Sequence, residues 1–317
     1  MRMDRRKAVT VYIIACVNTV TIGFSYLAAK VSLRSGSPVE ALFFRFAIGF
    51  AFALAVLFVI KKRSGRPAEK GKRKWGLLIP AVLYSGGFFG FQFFGLLYAS
   101  SVEAGIIMAV QPMLTMVIAE FAIKEKPTLL QRLCIFAAIV SAAFISAYGA
   151  AGSDGLDMRG VVLIFLSALC MSANVVFIRW KRGEYTPVEI SFSACAFGFV
   201  LYSAAVVIRG LANGSLGETL MLVTEPSFLA STAYLGIACT MLTNLMNSYL
   251  MIYLEAIKVS VFSSAGTVIT LLSGYFILNE DLSPVKLLCA AVILTCVVVI
   301  NYRKPDPVPG GGNDGKA

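Results

Sequence analysis

Long apolar runs separated by short polar breaks recur along the whole chain. Ten stand out, at residues 8–33, 39–60, 75–98, 103–123, 128–149, 158–180, 187–209, 227–251, 257–278 and 284–302. A helix of about 20 apolar residues crosses ~30 Å of hydrocarbon, and these runs have that length. They do not alternate polar and apolar positions as barrel strands do. The pattern predicts an all-α integral membrane protein with about ten transmembrane helices. Two connections are longer than the rest: a basic one at 61–74, and 211–226, part of which is expected to lie on the membrane surface. The Pro/Gly-rich segment 305–317 is expected to be a disordered cytoplasmic tail.

The runs repeat one another. Residues 98–144 return at a constant offset of 155: Tyr98 corresponds to Tyr253, Thr115 to Thr270, Glu125 to Glu280 and Cys134 to Cys289. The earlier runs repeat at an offset of 149. Ser37-Pro38-Val39-Glu40 matches Thr186-Pro187-Val188-Glu189, and Phe46-Ala47-Ile48-Gly49-Phe50 matches Cys195-Ala196-Phe197-Gly198-Phe199. A chain that repeats itself once is read as two halves, here 1–149 and 150–304. Each half holds five spans, so the second enters the membrane upside down. Inverted repeats of this kind build many secondary transporters, with the substrate site near the midplane between the halves.

Composition agrees. Charged residues make up 14% of the chain and hydrophobic residues 58%, against about 25% charged in soluble domains. The mean hydropathy is +0.80. The basic start, MRMDRRK, has the look of a signal-peptide head. The run behind it is too long for a cleaved signal and is needed by the repeat, so it is kept as the first span. With the N-terminus in the cytoplasm, 22 of the 28 Lys and Arg fall at cytoplasmic ends and loops, the exceptions being Lys30, Arg34, Arg45, Arg159, Arg209 and Lys286. That asymmetry predicts both termini inside a cytoplasmic membrane. The net charge of +11 is dispersed over short loops, a topology signal rather than a nucleic-acid surface.

Polar groups inside hydrocarbon need a partner, a cavity or a ligand. Asn18, Thr21 and Ser25 share one helical face, and the repeat relates Asn18 to Ser167 and Ser25 to Asn174. Ser85 and Gln92 share another face, with images Thr240 and Asn247 and with Asn244 between them. Gln111 and Thr115 share a third, with images Gly266 and Thr270. The candidate substrate-binding set is Asn18, Ser25, Gln92, Gln111, Thr115, Asn174, Asn244, Asn247 and Thr270. Two readings stand for these stripes: a wet cavity for a polar solute, or hydrogen-bonded glue between helices. Pro112 is expected to free the carbonyl near Met108 and bend its helix. Small residues four apart, such as Gly49 and Ala53, point to close helix packing.

Two charges are candidates for coupling or anion contact. Arg45 is the most deeply placed cation and corresponds to Ala194, an apolar residue; it either snorkels outward or binds an anionic group. Glu120 lies about 180° round its helix from Gln111 and four residues before Lys124, which favours a structural pair over proton coupling. The chain has no histidine, and its seven cysteines lie singly within apolar runs. No catalytic constellation, metal site or cofactor is expected, and the protein is read as a non-enzyme.

Several of these residues also carry a family resemblance. Gly23 with Ala28-Ala29-Lys30, Pro38 with Phe44-Arg45-Phe46, Tyr98-Ala99-Ser100, Gln111-Pro112, Lys124-Glu125-Lys126-Pro127-Thr128 and Asn279-Glu280-Asp281-Leu282-Ser283 together resemble the EamA family of the drug/metabolite transporter superfamily. The resemblance covers nearly the whole chain. It implies a ten-helix transporter with cytoplasmic termini, a central cavity from both halves, and export of amino acids or other small metabolites. Glu125 and Glu280 match the family's acidic turn residue, read as capping or pinning a short connection. Ile22 and Gly266-Thr267 depart from the family pattern, so substrate identity does not carry over.

The sequence thus reads as a secondary transporter of a small polar, amino-acid-like metabolite, working by alternating access toward export. An importer or exchanger of a cationic or nucleotide-linked solute is the alternative; a non-transporting membrane scaffold is the alternative of another class. Expected partners are a small-molecule substrate and membrane lipid, with no nucleic acid and with the oligomeric state open between monomer and homodimer. Cysteines introduced at Asn247 or Gln111 should react with a polar thiol reagent applied from one side of the membrane; inertness of both in folded protein would favour the scaffold.

Overall fold

The fold is given by a computed structural model, which describes residues 5–64, 74–122, 128–151, 157–181, 184–214, 216–253 and 256–302. These residues are helical apart from short turns, with no strand among them. The first run forms α1 (Arg5–Gly23) and α2 (Ser25–Ser35), and the second forms α3 (Pro38–Ser64). The third is composite: a 3-10 turn (Lys74–Leu77), α4 (Leu78–Ala81), a π-helical segment (Val82–Phe88) and α5 (Phe89–Gly95). The fourth splits into α6 (Ser101–Met108) and α7 (Gln111–Ala122). Then come α8 (Leu129–Ala151), α9 (Met158–Trp180) and α10 (Pro187–Asn213). The eighth run is composite like the third, with α12 (Pro226–Ala233), a second π-helical segment (Tyr234–Leu242) and α13 (Thr243–Tyr253); before it lies the short α11 (Leu216–Met221). The chain closes with α14 (Ala256–Leu278) and α15 (Pro284–Tyr302).

Seven described stretches are long and apolar enough to cross a membrane: Val9–Ser35, Pro38–Val59, Leu78–Gly95, Ser101–Ala122, Met158–Trp180, Pro187–Asn213 and Pro226–Asn247. Shorter apolar helices cover Leu129–Ala138, Ala265–Leu278 and Pro284–Val299. The side chains are distributed to suit a lipid solvent. Phe58, Phe121, Phe136 and Phe276 are exposed, whereas Asn18, Arg45, Gln92, Asn174 and Thr240 are buried. This is a multi-pass membrane protein.

Packing pairs α3 with α10, α6 with α14, and α8 with α15. Helix α1 packs on α13 and α14, while α9 packs on α5, α7 and the first π segment. Helix α3 lies along the second π segment and α10 along the first. The contact between α3 and the second π segment is close. A β-carbon at Gly236 would lie 2.5 Å from the Arg45 carbonyl oxygen and 3.1 Å from Gly49 N. Gly49 therefore packs backbone to backbone, as the small-residue pattern predicts.

The helix breaks have local causes. Pro112 lacks the N–H that would hold Met108, and α6 ends at that residue. A tighter bond, Val110 N to Ile107 O at 3.1 Å, carries the chain into α7. The break at Phe24 leaves the Gly23 carbonyl to accept from the Thr270 hydroxyl at 2.9 Å, and Tyr234 OH donates to Thr21 O at 2.8 Å.

One end of the bundle is tied by acids. Glu280, in the turn before α15, accepts from Ser101 N at 2.8 Å, Ser101 Oγ at 2.6 Å and Val102 N at 2.9 Å. It thus caps the N-terminus of α6, a helix far away in sequence, and not only the short connection in which it lies. Glu103, in the first turn of α6, completes the capping box with Ser100 and meets Lys286 Nζ at 3.0 Å in a buried ion pair. Lys30 Nζ donates to the Leu96 carbonyl at 2.6 Å. The 211–226 connection is mostly helical rather than an open polar loop, and Thr219 ties it to Glu40 at 3.0 Å. Glu125 and the 305–317 tail fall outside the described residues.

Removing the Glu280 carboxylate leaves buried donors of α6 without an acceptor, which costs about 1–3 kcal/mol. Glu280→Ala should lower the unfolding temperature in detergent, and Glu280→Gln, which keeps one acceptor oxygen, should lower it less.

Candidate functional site

Third and eighth runs bring polar side chains into the middle of the bundle, and π-helical geometry is part of how they do it. A π segment widens the helix by one residue per turn and re-aims its side chains. Here the Thr240 hydroxyl closes onto Leu235 O, five residues back, at 2.8 Å. Its oxygen also accepts from Arg45 Nε at 3.1 Å. Thr240, Asn244 and Asn247 follow at i, i+4 and i+7 and share one face of the helix.

Along that face the expected residues meet across helices. Asn18 Nδ2 on α1 donates to Asn247 Oδ1 on α13 at 2.9 Å. Asn244 Nδ2 donates to Thr240 O at 2.7 Å and lies 3.5 Å from the Tyr84 hydroxyl of the first π segment. Gln92 on α5 is buried and interacts with the Tyr26 phenol of α2. Arg45 does not snorkel: it is only 2% exposed, and its guanidinium carbon sits over the Phe89 ring, 3.6 Å from the centroid. Planar stacking on an aromatic face suits guanidinium. Tyr202 OH donates to Ser85 O at 2.9 Å, and the Ser85 hydroxyl donates to the Ala194 carbonyl at 2.6 Å.

A second polar group sits between α7 and α9. The Gln111 carbonyl accepts from Thr115 Oγ1 at 2.9 Å and from Ser172 Oγ at 3.0 Å. The Gln111 side chain is half-buried. Asn174, two residues after Ser172, is buried. Its Oδ1 has no hydrogen-bond partner, and neither has Asn18 Oδ1 as a donor-seeking acceptor. Orphaned buried acceptors are uncommon and call for an explanation.

Other expected residues are engaged locally. Ser25 Oγ donates to Ile22 O at 2.6 Å, which ties its hydroxyl to its own helix. Thr270, through Gly23 O, serves the break in the first run. Glu120 forms an ion pair with Arg132 Nη2 at 2.7 Å on a partly exposed surface between α7 and α8, so the partner observed comes from the neighbouring helix. The tyrosines Tyr26, Tyr84 and Tyr202 are absent from the expected set because a phenol reads as apolar in a hydrophobicity pattern. Glu103 and Lys286 are absent too, although an ionisable residue inside each apolar run was a usable signal. Among the described residues no cluster of His, Cys, Asp and Glu could hold a metal.

An apolar exterior around a polar centre assembled from several helices is the build of a membrane transporter. The chain belongs to the EamA-like transporter family, whose model matches residues 9–147 and again 158–302. The uncharacterized transporter YcxC of Bacillus subtilis is 34% identical over 311 residues, spanning 97% of this chain and 98% of its own. An uncharacterized transporter of Archaeoglobus fulgidus is 26% identical over 295 residues, spanning 90% of this chain and 97% of its own. A crystal structure of a protein 16% identical in sequence covers 92% of this chain and 96% of its own at a TM-score of 0.51, a likeness of fold.

Because Asn18 and Asn247 are hydrogen-bonded to each other, the effects of Asn18→Leu and Asn247→Leu should not add. A double-mutant cycle on unfolding in detergent should give a coupling of about 0.5–1.5 kcal/mol.

Proposed function

We propose that the protein is a secondary transporter that carries a small polar, amino-acid-like metabolite by alternating access, with the solute bound between two inverted five-helix halves. The observation that carries this reading is the polar face of buried Thr240 and half-buried Asn244 and Asn247, which meets Asn18, Arg45 and Tyr84 from other helices beside an orphaned Asn18 oxygen. Glue alone would pair its members. An acceptor left without a donor in the middle of a membrane protein suits a site that a solute completes.

Several features support the ten-span, two-half plan, with residues 1–149 and 150–304 as the halves. The family model matches twice, once in each. Packing partners exchange under the repeat: α3 on the second π segment corresponds to α10 on the first, and α1 on α14 corresponds to α9 on α7. Both π segments lie at equivalent places in the third and eighth runs. Thr186 and Glu189 form a capping box on α10, and Ser37 N donates to Glu40 at 2.8 Å in the matching position before α3. On this plan both termini face the cytoplasm, the site is formed by Asn18, Gln92, Gln111, Asn174, Asn244 and Asn247, and export is the direction assigned through the family resemblance.

Purified protein should gain thermal stability from at least one member of a panel of amino acids, amines, quaternary ammonium compounds and nucleotide sugars. A ligand at a hundred times its Kd adds about 2.7 kcal/mol. Proteoliposomes should exchange the labelled hit, and Asn247→Leu or Gln92→Leu should cut that flux about tenfold or more while the protein stays folded, as expected when a site built to hydrogen-bond its solute loses a partner. Absence of any hit and of any flux would leave the scaffold reading.

A further inference from the structure

We infer that Arg45 is the subsite for a single carboxylate on the transported solute, whose far end carries a hydrogen-bond donor toward Asn18 and Asn247. This rests on the transport reading and specifies its ligand.

The argument starts from charge. A buried cation inside a membrane-spanning helix is costly and is normally paired. Arg45 sits seven residues into α3, so its backbone lies about 10 Å from the helix start. Among the described residues it forms no ion pair. The acids near that end of the bundle are engaged elsewhere: Glu40 with Ser37 and Thr219, Glu103 with Lys286, and Glu280 with the start of α6. The groups around Arg45 are neutral, namely Tyr26, Tyr84, Tyr202, Cys195, Cys239 and Thr240.

The donor geometry is selective. A guanidinium offers five N–H bonds in one plane. One, on Nε, is used by Thr240, and one face is covered by Phe89. What remains is the in-plane edge of the two Nη atoms, the fork that takes a carboxylate. One unpaired cation neutralises one negative charge, which selects a monocarboxylate over a doubly charged phosphate.

The repeat separates a ligand role from a packing role. The equivalent of Arg45 is Ala194, and there the same helix contact is made by Ser85 Oγ donating to the Ala194 carbonyl. Packing of α10 on the first π segment is achieved without a cation. Packing of α3 on the second uses the close approach at Gly236 and Gly49, which also needs no cation. The charge is thus an addition on one side of the pseudo-symmetric centre.

Thr240 to Asn247 spans seven residues, about 10 Å along the helix. A solute held by its carboxylate at Arg45 reaches the Asn244 and Asn247 amides and the orphaned Asn18 Oδ1 with a donor at its other end. That fits a small amino or hydroxy acid.

The test uses isosteric pairs on the purified full-length protein: acetate against acetamide and benzoate against benzamide, at fixed pH and ionic strength, read as saturable shifts in unfolding temperature. The expected result is stabilisation by the carboxylates and not by the amides. Arg45→Gln should weaken the carboxylate effect at least about thirtyfold, the loss expected when one partner of a buried charge pair is removed. Arg45→Lys, which keeps the charge without the planar fork, serves if the Gln variant does not fold and should fall between. Equal effects of acid and amide, no effect of either acid, or an acid effect that survives Arg45→Gln would overturn the assignment. Flux of an uncharged solute with no response to carboxylates would remove this subsite and keep the transporter. Carboxylate binding without flux of any solute in liposomes would keep the subsite and remove the transport reading.

Discussion

Hydrocarbon offers no hydrogen bonds, and nearly everything in this molecule follows from that. Each backbone N–H and C=O within a span needs a partner inside the protein, so the described residues are helical apart from short turns. Where a helix is interrupted, another helix supplies what is missing. Thr270 donates to the carbonyl left by the break at Phe24. Glu280 accepts the free N–H groups at the start of α6. These repairs reach across more than a hundred residues of sequence, so they also fix how the early and late parts of the chain sit together.

The same constraint gives the polar centre its meaning. Phenols, amides and one guanidinium are gathered where two runs depart from regular α geometry. π segments at Val82–Phe88 and Tyr234–Leu242 shift the register of their side chains, and the Asn244 amide there meets the Tyr84 hydroxyl and the Thr240 carbonyl. A glycine at 236 lets α3 come near enough for Arg45 to reach Thr240. A transporter needs this combination of rigid helices with a few locally irregular turns, because helix ends and irregular turns expose backbone polar groups only where a cavity or a neighbour can meet them.

Much of the architecture is legible along the chain. Among the described residues each expected run falls mainly on helix, and the Pro112 interruption falls where the missing N–H requires it. Of the candidate site, Asn18 meets Asn247 directly, and Asn244, on the same helix face as Asn247, meets Tyr84. The Ser25 hydroxyl bonds to Ile22 O within its own helix, whereas that of Thr270 bonds across helices to Gly23 O, a partner that spacing along the chain does not show. Glu120 turned out to pair with Arg132 on the next helix, a partner that no helical spacing could reveal.

The sequence by itself determined the class of structure, an all-helical multi-pass membrane protein, and which polar residues share a helical face, because these depend on length, hydropathy and a period of 3.6 residues, all of them local. It also carried the repeat, since a duplicated pattern survives in the order of residues. Only the tertiary structure decided which polar groups are partners: that Asn18 meets Asn247, that Arg45 sits over Phe89 and bonds Thr240 with no carboxylate partner among the described residues, and that Glu280 caps α6. Those outcomes depend on distances between helices far apart in the chain. Such distances are set by packing, by single glycines and by one-residue shifts of register, and none of these leaves a period in the sequence.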